Sequence, residues 1–193
     1  MHAARAALVD HARRLLRDRL VTGTSGNLSL RLGEGAAALV AITPSGVDYE
    51  RMEPDHVVLV DLAGRTVEGG LCPSSELPMH LAVYRRRPDV AAIVHTHSPF
   101  ATTLAVAGRP IPPVHYTIAA LGVTEVPVTP RYALYGSEEL AELAASTLGE
   151  GHALLLRQHG ALATGRSLEE AYARALLVEH LAELAWRAAL LGP

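Results

Sequence analysis

Residues 93–99 join a short apolar run to a predicted helix and place two histidines at the junction. Alternate residues of a β-strand point to the same face, so His95 and His97 can direct two imidazoles at one point. Ser98 followed by Pro99 is typical of a helix N-cap and the first helical position. Strand ends are where α/β folds place their chemistry. The junction is a candidate for half of a metal site or for a hydrogen-bonded histidine pair without a ligand.

Length and composition predict one globular domain over residues 1–193, of which 49% are hydrophobic. Asp10 and Arg13 interrupt the first segment, and no run approaches the roughly 18 apolar residues of a membrane span. We therefore expect no membrane partner and a cytoplasmic location. The only cysteine, Cys72, has no partner for a disulfide, and a net charge of -3 gives no reason to expect nucleic acid as a partner.

The basic residues of the chain are all arginine, 17 in number, with no lysine. This excludes a Schiff-base lysine and the lysine of a phosphate-binding P-loop. Carbonyl chemistry would then need another electron sink, such as a metal ion, and a phosphate would need other donors. Asn27 and Gln158 are the only side-chain amides. This shortage of labile amides indicates a thermophilic source, although a GC-rich genome would give a similar bias.

Three short turns rich in serine, threonine and glycine fall at predicted element ends, at residues 24–27, 43–46 and 74–76. Each is compatible with a plain turn. The turn at 24–27 is also compatible with an anion nest, in which glycine lets backbone N–H groups and short polar side chains converge on a phosphate without a cation. Taken alone, Ser75 and Glu76 fit better as a helix N-cap and an acid in the first helical turn.

The remaining pattern predicts alternating helices and strands. Helices are expected over residues 3–20, 77–84, 101–107, 137–149 and from 167 to the end, with a short helical piece at 115–120. Strands are expected over residues 28–31, 37–43, 57–62, 65–68, 89–94, 125–128, 153–156 and 161–164. The turn between the last two strands carries His159 beside a glycine, which is a candidate third ligand or a structural histidine.

The polar motifs, taken in order, resemble the class II aldolase/adducin family over nearly the whole chain. They are Ser25-Gly26-Asn27, Thr43-Pro44-Ser45-Gly46, Ser74-Ser75-Glu76, His95-Thr96-His97-Ser98 and Gln158-His159-Gly160. Residues 111–120, with the pair His115-Tyr116, are most similar to the L-fuculose-1-phosphate aldolase branch. The resemblance implies a three-layer αβα fold with a central, mostly antiparallel mixed sheet flanked by helices.

The resemblance also implies one zinc ion per subunit, held by His95, His97 and His159. Glu76 would be the fourth ligand at rest and the base once substrate displaces it. Three imidazoles with one exchangeable position are typical of a catalytic zinc, which can stabilise an enediolate. By the same resemblance Tyr116 would protonate the new alkoxide from the neighbouring subunit of a fourfold ring, a C4 homotetramer with active sites at subunit interfaces.

The implied reaction is reversible cleavage of a phosphorylated ketose, similar to L-fuculose 1-phosphate, to dihydroxyacetone phosphate and a small aldehyde such as lactaldehyde. Glu76 would exchange the proton on the hydroxymethyl carbon and Tyr116 would act on the alkoxide. The positions that match the family's phosphate pocket are Thr24, Gly26, Asn27, Ser45, Gly46, Ser74 and Ser75.

Other activities share this scaffold. Pentulose-phosphate 4-epimerases resemble the chain in the same places, but they carry Lys-Pro-Ser-Gly and Ser-Ser-Asp. This chain has Thr-Pro-Ser-Gly at residues 43–46 and Ser-Ser-Glu at residues 74–76, which ranks the epimerase lower. A sugar-phosphate dehydratase or decarboxylase is a further alternative. A non-catalytic, adducin-like interaction domain gives no reason for three ligand histidines and an acid. The sequence ends at residues 191–193, where fuculose-phosphate aldolases have a longer tail with another tyrosine, so the aldehyde is not predicted.

Overall fold

The computed structural model describes residues 1–192 and builds three layers around one antiparallel sheet. Within these residues the sheet has seven strands in the order β4-β3-β2-β1-β5-β7-β6, and each neighbouring pair is antiparallel. The strands are β1 (Asn27–Leu32), β2 (Leu39–Ile42), β3 (Val58–Asp61), β4 (Thr66–Glu68), β5 (Ala92–Thr96), β6 (Ala153–Leu156) and β7 (Gly160–Gly165).

Helices cover both faces of the sheet. They are α1 (His2–Arg17), α2 (Leu77–Arg86), α3 (Pro99–Ala107), α4 (Glu138–Leu148) and α5 (Leu168–Leu191), with short 3₁₀ turns at Gly35–Ala37, Pro54–His56 and Tyr116–Leu121. In residues 1–192 no helix is both long and apolar enough to cross a membrane.

The side chains of the central strands alternate between two apolar cores. Ile93 packs with α2 and α4 on one face, while its neighbour Val94 packs with α1 and α5 on the other. Both side chains are fully buried, which is why β5 reads as a continuous apolar run rather than as an alternating one. A third cluster joins α3 to α5 and to the outer strands β6 and β7. The three-layer αβα class expected from the sequence is confirmed.

The strand register places polar residues of different strands side by side. His95 pairs with Asn27 of β1 on one side and with Leu162 of β7 on the other. Residues directly opposite each other in an antiparallel pair present their side chains on the same face. Asn27 and His95 therefore share the face that α2 covers, at the point where β5 ends.

Most of the predicted elements are confirmed, including the hairpin of β3 and β4 and the helices expected from residues 137 and 167. Ser137 accepts a hydrogen bond from the N–H of Leu140 at the start of α4, and Ser167 accepts one from Glu170 at the start of α5. The predicted strand 125–128 is wrong, because its residues pair with different partners. Val126 bridges Ile111, whereas Val128 bridges Leu155, in parallel, beyond a proline that has no N–H to donate.

The prediction of Ser75 as a helix cap is also wrong. Helix α2 begins at Leu77, and its N-cap residue is Glu76, whose side chain makes no capping hydrogen bond. The N–H of Glu76 instead donates a hydrogen bond of 3.2 Å to the hydroxyl of Ser74. The carboxylate of Glu76 is therefore free of any capping role and can point elsewhere.

Helix α3 begins as predicted, at Ser98 followed by Pro99, but it is capped by another element. The hydroxyl of Ser98 makes no capping bond. Glu179 of α5 accepts hydrogen bonds from the N–H groups of Phe100 and Ala101, each with a donor–acceptor distance of 2.9 Å. A carboxylate at a helix N-terminus satisfies two unpaired donors and matches the helix dipole. This contact holds the helix that follows His97 against α5.

Candidate active site

Four side chains converge at the end of β5. Glu76, His95, His97 and His159 each offer one ligand atom, and these atoms all lie within 4.8 Å of one another. The imidazole centroids are 4.8, 4.9 and 5.0 Å apart, with the rings packed edge to face. The Nε2 atoms of His95 and His97 are only 2.9 Å apart. Alternation along β5 thus brings two imidazoles to one point, and the turn between β6 and β7 adds the third.

Backbone contacts fix the orientation of the histidine strand. Nδ1 of His95 lies 2.9 Å from the carbonyl oxygen of Ala161 in β7, and a carbonyl can only accept, so Nδ1 carries the proton. In the neutral ring Nε2 then presents its lone pair to the centre, as a metal-binding histidine requires. The N–H of His97 donates a hydrogen bond of 3.0 Å to the carbonyl of Leu20. This bond fixes the backbone immediately after β5.

The Glu76 carboxylate is buried, with 6% of the residue exposed. Its Oε2 lies 2.9 Å from Nε2 of His95 and accepts a hydrogen bond of 3.0 Å from Asn27 Nδ2. Its Oε1 lies 3.2 Å from Nε2 of His159 but outside hydrogen-bond geometry, so it has no hydrogen-bond partner among residues 1–192. A buried, unpaired carboxylate oxygen beside three imidazoles is an environment that a bound cation would stabilise. One carboxylate oxygen and three imidazole nitrogens form a donor set that can hold a divalent transition-metal ion.

The charges of the cluster favour metal-binding protonation states for Glu76, His97 and His159. For His95, burial would lower the pKa, but the neighbouring Glu76 carboxylate outweighs burial and raises that pKa. Burial alone would raise the pKa of Glu76, but the charge and hydrogen bond of His95, with His159 and Asn27, outweigh it and hold that pKa well below its usual value. Burial, and then the charge of His95, lower the pKa of His97 to about 3 and the pKa of His159 to about 4. At neutral pH the acid is ionised and both of these imidazoles are neutral, as ligands must be.

The cluster lies at the end of a cavity of about 310 Å³. All seven residues predicted for a phosphate pocket line this cavity, and the described lining residues include no arginine. The second and third polar turns are joined by backbone hydrogen bonds, from Ser45 N to Cys72 O at 3.0 Å and from Ser74 N to Thr43 O at 3.1 Å. An anion in this cavity would be bound by N–H and hydroxyl groups and by the N-terminus of α2.

Glycine is required in the first polar turn. Gly26 has a φ of +72°, and a Cβ there would lie 2.8 Å from the carbonyl oxygen of His95 and 2.5 Å from a methyl of Val21. Its own carbonyl accepts a hydrogen bond of 2.5 Å from the buried hydroxyl of Tyr49. The first polar turn and β5 therefore approach each other closely at the backbone.

Tyr116 is not brought into the cavity of its own chain. It is 82% exposed at the start of a 3₁₀ turn, with its ring 4.5 Å from that of His115. Of the predicted site residues, Tyr116 is the one that the fold of a single chain leaves outside.

Several residues of the site were missed from the sequence. Tyr132 and Tyr135 line the cavity from an irregular loop. Gln158, which the motif series included without a role, also lines it and has a φ of +56°. No periodicity marks such loop residues. Behind the carboxylate lie a buried histidine, serine and tyrosine that contact Asn27 or one another. Their signal was present, since His80 and Tyr84 follow Glu76 at spacings of four and eight, on one face of a helix.

The chain is similar to known aldolases over most of its length. Residues 6–186 match the family described as Class II Aldolase and Adducin N-terminal domain. A 5-methylthioribulose-1-phosphate/5-deoxyribulose-1-phosphate aldolase from Rhodospirillum rubrum is 43% identical over 185 residues, covering 96% of this chain and 81% of that protein. An L-fuculose phosphate aldolase from Escherichia coli is 41% identical over 177 residues, covering 92% of this chain and 80% of that protein.

A solved structure of an L-fuculose 1-phosphate aldolase matches with a TM-score of 0.94 at 38% identity, over 99% of this chain and 88% of that chain. The resemblance drawn from the sequence motifs is confirmed.

We predict that Gly160→Ala destabilises the protein by about 1–3 kcal/mol, the usual cost of overpacking. A Cβ at Gly160 would lie 2.2 Å from the carbonyl oxygen of Thr96 and 2.9 Å from the His97 ring, so the turn carrying His159 has to move. The control is Gly70→Ala, where nothing lies within 4 Å of the new methyl group. Chemical denaturation of both variants checks this, and equal stabilities would contradict it.

Proposed function

Because the chain belongs to the class II aldolase and adducin family as a metal-dependent lyase, we propose that it reversibly cleaves a phosphorylated ketose to dihydroxyacetone phosphate and a small aldehyde. One observation carries the proposal: the cluster of Glu76 and three histidines opens into the same cavity as the three polar turns, and no arginine is among the described lining residues. The pocket suits the phosphate half of such a ketose, and the cluster lies where its carbonyl would be.

We assign the metal to His95, His97 and His159, with Glu76 as the fourth ligand at rest, and we expect zinc. A bound zinc supplies a Lewis acid that draws electron density from the substrate carbonyl, a task that lysine performs in other aldolases and that no residue here could perform. The orphaned Oε1 of Glu76 and the neutral imidazoles support this assignment.

The phosphate is proposed to bind in the three polar turns through backbone N–H groups and the hydroxyls of Thr24, Ser45, Ser74 and Ser75. Gly26 and Gly46, at φ of +72° and +69°, give the turns their shape. Asn27 lies between this pocket and the base, since its amide donates to Glu76. The phosphate would thereby fix the hydroxymethyl carbon near the carboxylate without any cationic side chain.

Glu76 is proposed to move the proton on that carbon. In the direction of carbon–carbon bond formation it takes the proton from the hydroxymethyl group of dihydroxyacetone phosphate, and in cleavage it returns it. Oε2 of the carboxylate accepts a hydrogen bond from Asn27, whereas Oε1 has no hydrogen-bond partner within residues 1–192. An ionised, buried acid with a free oxygen can act as a general base.

Tyr116 is proposed to protonate the new alkoxide from a neighbouring subunit. Its phenol is largely exposed and does not line the cavity of its own chain. A closed ring of four copies, each a single domain in the cytoplasm, would bring each Tyr116 to the next subunit's cavity. This arrangement makes the oligomer part of the active site.

The similar aldolases suggest two forms of the ketose. The similar aldolase from Escherichia coli is named for L-fuculose phosphate, and the one from Rhodospirillum rubrum is named for 5-methylthioribulose 1-phosphate and 5-deoxyribulose 1-phosphate. Both forms share the dihydroxyacetone phosphate half and differ in the aldehyde that is released. The aldehyde end would face Tyr132, Tyr135 and Gln158, which line the cavity outside the proposed phosphate pocket. Assays with both ketose classes, scored by released dihydroxyacetone phosphate, decide between them.

We predict that the purified protein binds one divalent metal ion per chain. His97→Ala should lose both the metal and the activity. Removing one of three neutral imidazoles leaves too few strong donors for tight binding. Elemental analysis after dialysis measures the metal content, and His2→Ala, an exposed histidine in α1, is the control. Full activity in wild-type protein shown to be metal-free would refute the proposed chemistry.

We predict that Glu76→Gln suppresses hydrogen exchange between solvent and dihydroxyacetone phosphate by about 10² to 10⁴, the range for loss of a general base. An amide can occupy the same space but cannot accept the proton. Exchange is followed by NMR in deuterated water, with Glu142→Gln on the surface as the control. Wild-type exchange in the Glu76 variant would show that another group is the base.

We predict that Tyr116→Phe slows carbon–carbon bond formation while sparing hydrogen exchange, because the phenol acts after the proton has been removed. Tyr116→Phe and Glu76→Gln subunits, mixed under conditions that exchange subunits, should regain part of the activity. In such hybrid rings an intact glutamate meets an intact tyrosine from next door. No recovery in hybrids verified by mass spectrometry would place Tyr116 outside the neighbour's site.

A further inference from the structure

A buried row of polar side chains runs from Glu76 away from the cavity. Asn27 Nδ2 lies 3.0 Å from Glu76 Oε2, and Asn27 Oδ1 lies 2.6 Å from His80 Nε2. His80 Nδ1 lies 2.6 Å from the hydroxyl of Ser29, which lies 2.7 Å from the hydroxyl of Tyr84. Four consecutive hydrogen bonds therefore link the proposed base to a phenol near the far end of α2.

The donors of this row all point the same way. The Oδ1 atom of Asn27 can only accept, so Nε2 of His80 donates to it. Burial lowers the pKa of His80 to about 3, so the ring is neutral and its Nδ1 is an acceptor. Ser29 must then donate to Nδ1, which leaves its oxygen to accept from Tyr84. The chain of donors runs from Tyr84 through Ser29, His80 and Asn27 and ends on the carboxylate.

The row lies inside the apolar core between the sheet and α2. His80 and Ser29 are fully buried and Tyr84 is 1% exposed. Asn27 and Ser29 are two apart on β1 and share a face, while Glu76, His80 and Tyr84 are four apart along one side of α2. Apolar residues would fill these positions without any need for hydrogen bonds. A satisfied polar row in such a place specifies one arrangement of its members.

We propose that His80, supported by Ser29 and Tyr84, positions Asn27 and through it holds Oε2 of Glu76, so that Oε1 is the oxygen that exchanges the substrate proton. The hydrogen bond from His80 fixes which end of the Asn27 amide is the donor. If the amide turned over, its oxygen would face the carboxylate and repel it. His80, Ser29 and Tyr84 are positioning residues, since none of them lines the cavity. The role in proton exchange rests on the proposed function.

The first test compares His80→Leu with His80→Gln. Glutamine keeps a side-chain N–H near the position of Nε2, whereas leucine fills space without a donor. We expect His80→Leu to lower the kcat of hydrogen exchange about 10- to 100-fold, as outer-shell substitutions do, with little change in KM for dihydroxyacetone phosphate. His80→Gln should restore most of the rate. Equal rates in the two variants, at equal folded fractions, would overturn the proposal.

A double-substitution cycle tests whether His80 acts through Asn27. In an Asn27→Ala background the amide is absent, so adding His80→Leu should change the exchange rate by less than about two-fold beyond the single Asn27 variant. If the two effects multiply as independent losses, His80 does not act through Asn27 and the proposal fails. Thermal unfolding of each variant separates loss of fold from loss of rate.

The far end of the row has a matched control. Tyr84→Phe and Tyr172→Phe each remove one buried phenol oxygen, and that of Tyr172 donates to Asp18, away from the row. We expect Tyr84→Phe to slow exchange roughly 2- to 5-fold, since polarisation along such a chain strengthens each bond by only about 10–30%. Tyr172→Phe should leave the rate unchanged. Equal effects of the two substitutions would argue for a general packing role and against the row.

Two measurements without substrate separate this proposal from the proposed function. In protein labelled with ¹⁵N-histidine, His80 should carry its proton on Nε2 and none on Nδ1. With Co²⁺ alone as the probe, the visible absorption spectrum should change in His80→Leu and stay close to wild type in His80→Gln and Tyr172→Phe. The opposite tautomer, or an unchanged spectrum in His80→Leu, would overturn the row. Absence of exchange in the wild type, with both results as expected, would overturn only the reaction.

Discussion

Burial of the Glu76 carboxylate is the constraint on which the arrangement of the site depends. A charged oxygen taken out of water needs hydrogen bonds or positive charge around it. The protein supplies a hydrogen bond to Oε2 through Asn27 and leaves Oε1 unpaired within residues 1–192. This asymmetry favours a cation in the site, since the unpaired oxygen lies beside imidazole nitrogens and no donor in hydrogen-bond geometry reaches it.

The sheet makes this asymmetry possible because its register is fixed. Asn27 and His95 lie opposite each other, and β7 on the other side provides the carbonyl of Ala161 that orients the His95 ring. The close approach of these segments leaves no room for side chains at Gly26 and Gly160. Two glycines therefore set how closely the first polar turn and the turn that carries His159 approach β5. The geometry of the cluster is a property of backbone packing as much as of the ligand residues.

The sequence predicted the parts of the site that local periodicity or motif order encodes. Alternation gave the His95 and His97 pair, and the motif series gave His159 and the polar turns. The helix cap at Ser75 was wrong because local preference favours serine at an N-cap, whereas the backbone places Glu76 there and turns its carboxylate inward. The loop tyrosines that line the cavity have no periodic signal, and only tertiary packing brings them to it.

Residues His80, Ser29 and Tyr84 show a different limit of sequence reasoning. A polar residue at an alternating position of a strand is normally taken as the exposed side, yet Ser29 is fully buried because helix α2 covers that face with polar partners of its own. Each residue alone would be costly in the core, and the set is stable only when every donor meets an acceptor. That condition links β1 to α2 through a chain of hydrogen bonds that all run in one direction. The last acceptor of the chain is the Glu76 carboxylate. The core is therefore continuous with the active site, and its polarity follows from the charge that the site has to hold.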